Sequence, residues 1–410
     1  MTESSQAKNL RIVYVWDADY PWDVRTEKIC LALTEAGHDV HLVARNSNRA
    51  PSTEKLREAT VHRMPPWRWV GAKLDTALGF PAFFNPRWRS LIANTAKEVK
   101  ADVIIVRDLP LCPTAISVGR RLHIPVILDM AENYPAMIRD TWAAGRHRLT
   151  DYAVRNPRLA ELVEHYCTTH VDHIITVVEA SSERLRDLGV PAQKLTVISN
   201  TPPIRRTSGR PVPPALQSDG RVRVVYLGLL EIHRGLDQLI DAIKLLHDAG
   251  HVEFKAVVVG SGRDEHLFQQ RAARLGLSTS DVEFLGRLPH DHALAVVASG
   301  DIGVIPHHAT ESWNTTIPNK LFDYMSLGIP VVSSDTRPCV KVLCETGAGL
   351  SFLSGDARSL AAAMLEFRSP ERRSVAGAAG VAAVRTEYNW DADSARLDEL
   401  VGHVARGGLS

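Results

Sequence analysis

Residues 317–332 read IPNKLFDYMSLGIPVV. Pro318-Asn319 suits a helix entry, because proline is tolerated in the first turn, where its missing N–H costs nothing. Leu321, Phe322, Met325 and Leu327 follow at helical apolar spacing, and Gly328 is a stop signal. Ile329 to Ser333 continues as a β-branched run that predicts a buried strand. Lys320 and Asp323 are three residues apart and share one helix face. A cation in a first helical turn, beside free backbone N–H groups, suits a phosphate. A carboxylate one turn deeper suits sugar hydroxyls, from which it accepts paired hydrogen bonds. On this window alone, an ordinary αβ unit with a surface Lys320–Asp323 salt bridge reads equally well, so the surrounding sequence decides.

Working outward, the same strand–helix alternation fills the chain. Leu10 to Trp16 predicts a strand, Arg25 to Ala36 an amphipathic helix stopped at Gly37, and Asp39 to Ala44 the next strand. That βαβ opening predicts a doubly wound parallel sheet. Further strands are expected at Val103–Val106, Pro125–Asp129, Ile174–Val178 and Leu195–Ile198, with a helix capped by Ser181 or Ser182. A second series follows: Val222–Leu227, Phe254–Val259, Val282–Phe284, Ile302–Ile305 and Pro330–Ser333. Between the series, residues 201–220 are rich in proline, glycine and serine and read as a stiffened linker. The expected organisation is 1–200, a linker at 201–220, 221–385, and a final helical segment at 386–410 that packs back on the first domain.

The second series places its glycines and cations at strand ends. Gly228 ends a strand, and Arg234-Gly235 opens a helix, an order suited to gripping phosphate. Val257 to Gly262 reads VVVGSG, a buried strand running into a turn at Gly260, Ser261 and Gly262 that admits close backbone approach. His307 and His308 follow Pro306 and could line a site at the end of that strand, although an exposed loop role for the pair is the preferred reading. With no further carboxylate or cysteine at ligand spacing, no metal is expected there.

Length and composition set bounds. A chain of 410 residues suggests two domains, each with a substantial core. A net charge of +1 argues against a nucleic-acid partner, which favours a clear basic excess. The five cysteines are scattered with no CxxC, the pattern of reduced thiols in a cytosolic protein. The amino terminus lacks a hydrophobic signal core and no apolar run is long enough to span a bilayer, so the expected location is cytoplasmic, with peripheral contact at the inner membrane face left open. Residues 63–89 interleave Trp67, Trp69, Phe80, Phe83, Phe84 and Trp88 with Arg63, Arg68, Lys73, Arg87 and Arg89. They read either as core-packing aromatics beside solvated charges or as a membrane-surface patch.

The window 317–332 resembles the donor-site helix of GT-B glycosyltransferases of the group 1, family-4 type, with Asp323-Tyr324-Met325-Ser326 where that family carries an acidic residue and its followers. The resemblance runs from the Gly37-His38 turn to Trp390. It implies two Rossmann-like doubly wound parallel-sheet domains (α/β, GT-B) facing across a cleft, and a retaining transferase that moves a sugar from a nucleotide-sugar donor to a sugar or lipid-linked hydroxyl acceptor. Bacterial polysaccharide or glycolipid assembly is the implied setting. It implies donor contacts at Gly228, Arg234, the Gly260–Gly262 turn, Leu285 and Arg287, then Asn319, Lys320, Leu321 and Asp323. Arg234 and Lys320 would neutralise the leaving diphosphate, and no metal or other cofactor is expected. In the first half it implies catalytic roles for Asp129 and Glu132 and acceptor-side roles for Asp17 and Arg25. The chain departs from the family at Thr315, where an upstream glutamate is common, at Ala131, where a histidine is common, and at Leu229, where a second cation is common. These departures keep open an epimerase of the same architecture or a catalytically silent nucleotide-sugar-binding subunit. An NAD-dependent enzyme fits poorly, since no G-x-G-x-x-G follows the first strand.

Overall fold

The computed structural model describes residues 9–21, 23–66, 83, 85–143, 156–203 and 220–407. The linker at 204–219 and residues 67–82 and 84 of the basic-aromatic stretch lie outside the described residues. Residues up to Ser199, together with those from Ala392 onward, form one compact unit, and Asn200–Asp391 form the other.

The first unit is an eight-stranded sheet of β1 (Arg11–Asp19), β2 (Asp39–Arg45), β3 (Thr53–Lys55), β4 (Thr60–Arg63), β5 (Val103–Arg107), β6 (Val126–Met130), β7 (His173–Thr176) and β8 (Leu195–Val197). Its order is β3-β4-β2-β1-β5-β6-β7-β8, and every pairing is parallel except β3 with β4. The central strands read as continuous apolar runs because helices cover both faces of a parallel sheet. Trp88 belongs to this core, on the helix Pro86–Glu98, at 1% exposure. Arg63 is likewise buried, bonded to Glu54 and to the carbonyl of Tyr20. For these two members of the basic-aromatic stretch the packing reading holds.

The serine cap expected at Ser181 or Ser182 is corrected. The helix runs Glu179–Asp187 after Val178, and both serines are buried within it. Ser182 Oγ instead lies 2.8 Å from Thr176 Oγ1, tying the helix to β7. The helix Trp390–Ala405 reaches the first unit through His38. The N–H of Leu10 donates to His38 Nδ1 at 3.1 Å, which leaves the ring proton on Nε2, 2.7 Å from Asp398 Oδ1.

The second unit is a six-stranded, all-parallel sheet of β9 (Val222–Leu227), β10 (Phe254–Val259), β11 (Val282–Phe284), β12 (Ile302–Ile305), β13 (Val331–Ser334) and β14 (Gly349–Phe352). Its order, β11-β10-β9-β12-β13-β14, reverses direction between β9 and β12. In doubly wound sheets the crevice outside the carboxyl ends of the strands at such a switch point is where ligands bind.

The stretch that began the sequence reading forms the helix Lys320–Ser326 and then β13. Tyr324 fixes this helix to the sheet. Its hydroxyl accepts the N–H of Leu227 at 3.0 Å and donates toward the carbonyl of Val225 at 3.3 Å. Gly303 on β12 makes the room, since a Cβ there would run into the Tyr324 ring. Tyr324→Phe should therefore leave a buried N–H without a partner and cost about 1–3 kcal/mol. Thermal melting should show a lower Tm with unchanged secondary structure, and Gly303→Val should be worse.

Candidate active site

At the carboxyl ends of β9, β10 and β11 in the second unit, three loops meet by backbone hydrogen bonds. Gly228 N–H donates to Val259 O at 2.9 Å, Leu230 N–H to Ser261 O at 3.1 Å, and Gly260 N–H to Gly286 O at 2.9 Å. A Cβ on Gly260 would collide with the carbonyl of Gly228, and one on Gly262 with the carbonyl of Leu230. The close approach that these glycines were expected to offer a ligand is thus taken up by the neighbouring loop. Leu285 joins the same lattice, its N–H donating to Val258 O, while Arg287 stays exposed.

Arg234 ends a short turn, Ile232–Arg234, and Gly235 follows in the left-handed region at φ 69°. Only glycine fits there, because a Cβ would strike the carbonyl of Pro306 at the end of β12. Pro306 O also accepts a hydrogen bond from Gln238 Nε2 at 2.9 Å. These contacts seat the Arg234 turn against the exit of β12. The guanidinium lies 5.5 Å from the centre of the Trp313 ring, and Nε is buried without a hydrogen-bond partner.

Lys320 is buried, and its Nζ has no hydrogen-bond partner. It stands 4.1 Å from the centre of the Tyr226 ring, close enough to Gly228 that a Cβ there would lie 2.9 Å from it. The surface salt bridge between Lys320 and Asp323 is therefore not formed. Burial above all, and then the Arg234 charge, hold the Lys320 ammonium well below its usual pKa; Asp323 opposes the shift weakly. An ammonium pressed toward its neutral form, beside a guanidinium, stands where a bound anion would be strongly stabilised.

His307 corrects another expectation. It is 1% exposed, and its ring stacks on Trp313 at 3.9 Å. Burial first, then Lys320 and Arg234, push its pKa well below the usual histidine value. Of the remaining positions expected near a donor, Asn319 is exposed at the start of the helix, whereas Leu321 is fully buried with its N–H donated to Pro318 O. Leu321 thus has neither a side chain nor an N–H to offer. Thr315 is buried, its hydroxyl bonded to the carbonyls of Glu311 and Ser312.

The first unit places its polar residues differently from expectation. Asp129 is fully buried and paired with Arg25, itself 3% exposed, with Nε–Oδ1 at 3.0 Å. Tyr14 donates to Asp129 at 2.9 Å, and Arg25 also donates to Ile198 O. An aspartate held by two donors inside the sheet, and an arginine closed over it, form a structural pair; neither is presented to an acceptor. Asp17 pairs with Arg45. Glu132 is exposed, and Ala131 is buried beside it.

Reasoning from sequence missed Asp108, at the carboxyl end of β5 next to β1, this sheet's own switch point. Its backbone is left-handed at φ 58°, and it accepts the N–H groups of Ala131 and Glu132 at 3.0 and 3.2 Å. Burial pushes its carboxyl up to about 6, against the pull of Arg107 and with the help of Asp129. Arg107 also bonds Asp23 and Thr26 and lies over Trp16. The Asp-Leu-Pro sequence after the strand carries only a turn signal. Trp313 was missed because a single aromatic in a loop has no periodicity. Among the described residues no group of three or more His, Cys, Asp and Glu is arranged to hold a metal ion.

Comparisons with known proteins bear on this geometry. Residues 221–369 match the family model described as glycosyl transferases group 1, and residues 23–201 match the glycosyl transferase 4-like domain. A phosphatidyl-myo-inositol mannosyltransferase of Mycobacterium leprae is 28% identical over 187 residues, 45% of this chain and 47% of that one, so the chain spans about half the length of this relative. The sucrose-phosphate synthase of Thermosynechococcus elongatus matches with a TM-score of 0.78 at 15% identity, covering 97% of this chain and 100% of the other. HepE of Anabaena, solved with UDP, matches with a TM-score of 0.69 at 16% identity, covering 96% and 99%. At these identities the structural likeness speaks to fold.

Two outcomes follow from the first unit. Asp129→Ala should strand a buried guanidinium and cost about 3–5 kcal/mol, much of it recovered by adding Arg25→Met, as read by chemical denaturation. Asp108 carries a raised pKa in the fold, so its contribution to stability is present below its unfolded value near 3.8 and lost as pH rises through about 6. Asp108→Asn should flatten stability against pH across that window, removing a change of up to about 3 kcal/mol.

Proposed function

The chain belongs to the group 1 glycosyltransferases of GT-B fold, and on that premise we propose that it transfers a sugar from a nucleotide-sugar donor to a hydroxyl acceptor with retention of anomeric configuration. The observation that carries the reading is the pair of basic side chains at the β9–β12 switch point, Lys320 with no hydrogen-bonding partner and Arg234 with an unpartnered Nε. A diphosphate is the group that would satisfy both.

In the reaction, the bond from the anomeric carbon to the diphosphate oxygen breaks, a bond from that carbon to the acceptor oxygen forms, and the acceptor hydroxyl's proton passes to the departing diphosphate. Negative charge builds on the leaving diphosphate. Lys320 and Arg234 stabilise that charge as it develops, and being preorganised they need little rearrangement to do so. Asp323, one turn on from Lys320, would hold ribose hydroxyls. Arg287, exposed on its loop, is left to face the base. Glu132, an exposed carboxylate of the first unit, would serve the acceptor.

A lipid-linked acceptor in polysaccharide or glycolipid assembly is supported by the inositol-lipid mannosyltransferase among the relatives. Among the described residues no helix is long and apolar enough to cross a membrane.

The test is a thermal-shift and turnover screen against UDP-, GDP-, ADP- and dTDP-sugars. Lys320→Ala and Arg234→Ala should each lower kcat/KM by about a hundredfold or more with the preferred donor and abolish its thermal stabilisation. Turnover of donor without acceptor would point to an epimerase, and binding without turnover over a broad acceptor panel to a silent subunit. Stabilisation by none of the nucleotides would remove the donor site itself.

A further inference from the structure

We propose that His307 is a positioning residue of this site whose imidazole takes up a proton when the donor's diphosphate binds, so that donor affinity rises as pH falls; the inference rests on the donor-site reading above.

The ring is buried to 1% exposure, and neither nitrogen has a hydrogen-bond partner. A buried polar group left unsatisfied costs about 1–3 kcal/mol, so its persistence asks for a role. Its stacking partner, Trp313, also carries the Arg234 guanidinium on its ring. The imidazole therefore reaches the diphosphate cations through an aromatic plate that it helps to hold.

The groups that face it all push its ring toward the neutral form. Lys320 comes from the helix Lys320–Ser326, Arg234 and His233 from the turn Ile232–Arg234, and His308 from its own loop. Carboxylates enter one step away: Glu231 lies 3.2 Å from His233 Nε2. Asp237 lies 4.0 Å from His308 Nε2, and Asp323 acts on Lys320. Burial and these neighbours favour the neutral ring. A diphosphate arriving between Lys320 and Arg234 reverses the local sign. The unprotonated ring nitrogen then accepts a proton from solvent, and the pKa of His307 rises on binding. The linkage has a fixed sign: the added affinity is full below the free-state pKa and is lost as pH rises through the bound-state pKa.

Calorimetric titration of the full chain with UDP-glucose and GDP-mannose, and failing those the other nucleotide sugars of the screen, tests this. Their diphosphate is a diester that does not titrate near neutrality, so exchanged protons belong to the protein. The expected result is a binding enthalpy that differs between two buffers of unlike ionisation enthalpy, and a Kd that weakens by up to about tenfold between pH 6 and 8. His307→Gln and His307→Phe, the second keeping the ring stack, should both lose the buffer dependence and flatten the pH profile. Each is checked by thermal melting, and either one, folded, decides the point. Tight binding with equal enthalpies in both buffers overturns the proposal. So does proton uptake that survives in both variants, which would assign the proton to Lys320. If no nucleotide sugar binds at all, the donor-site reading falls and this proposal falls with it.

Discussion

The hydroxyl of Tyr324 is the contact on which the second unit's chemistry depends. It joins the helix Lys320–Ser326 to the end of β9, the strand beside the switch point. The helix has only seven residues, too few to hold its place by intrinsic stability. Tertiary anchoring supplies what propensity cannot. With Tyr324 pinned, Lys320 is set one turn back against Tyr226 and Gly228. Arg234 is placed independently, by Gly235 closing on Pro306. Two separate anchors thus bring two cations to one place, and their mutual repulsion is the electrostatic cost of having the site ready.

Much of this arrangement was legible in the chain. Five of the six strands of the second sheet, the Gly228 turn, the Arg234 helix start and the Lys320 helix all stand close to where spacing and turn residues place them, because each signal is local; the short, half-exposed edge strand β14 carries no such signal. The nature of the contacts was not legible. Sequence spacing suggested that Lys320 would meet Asp323, three residues away. The fold gives it Tyr226, nearly a hundred residues earlier in the chain. A strand residue that reads as one more apolar position in Val222–Leu227 turns out to be the surface on which the cation rests. His307 looked like half of an exposed pair because two adjacent histidines after a proline read as loop, and only tertiary packing distinguishes them.

The first unit shows the same limit more sharply. Asp129 and Arg25 each sit at a strand end or helix start, where family resemblance gives such residues functional roles. Their 104-residue separation conceals that they neutralise one another inside the sheet. A buried pair of this kind is weak evidence of stabilisation, but breaking it is costly. The polar group with the more unusual chemistry is Asp108, whose left-handed backbone lets its carboxylate cap two N–H groups at the next strand's exit.

Gly260 and Gly262 lie against the main chain of Gly228 and Leu230, and that has an evolutionary consequence. A collision between backbones has no side chain that could be trimmed to relieve it, so this floor tolerates little drift. Leu229, exposed at 52%, and Arg287 project from the same loops and answer to no such constraint. Selection can therefore exchange the outward side chains while the backbone floor beneath them stays where it is. A fold partitioned in this way can vary its loop surface without disturbing the frame that carries it.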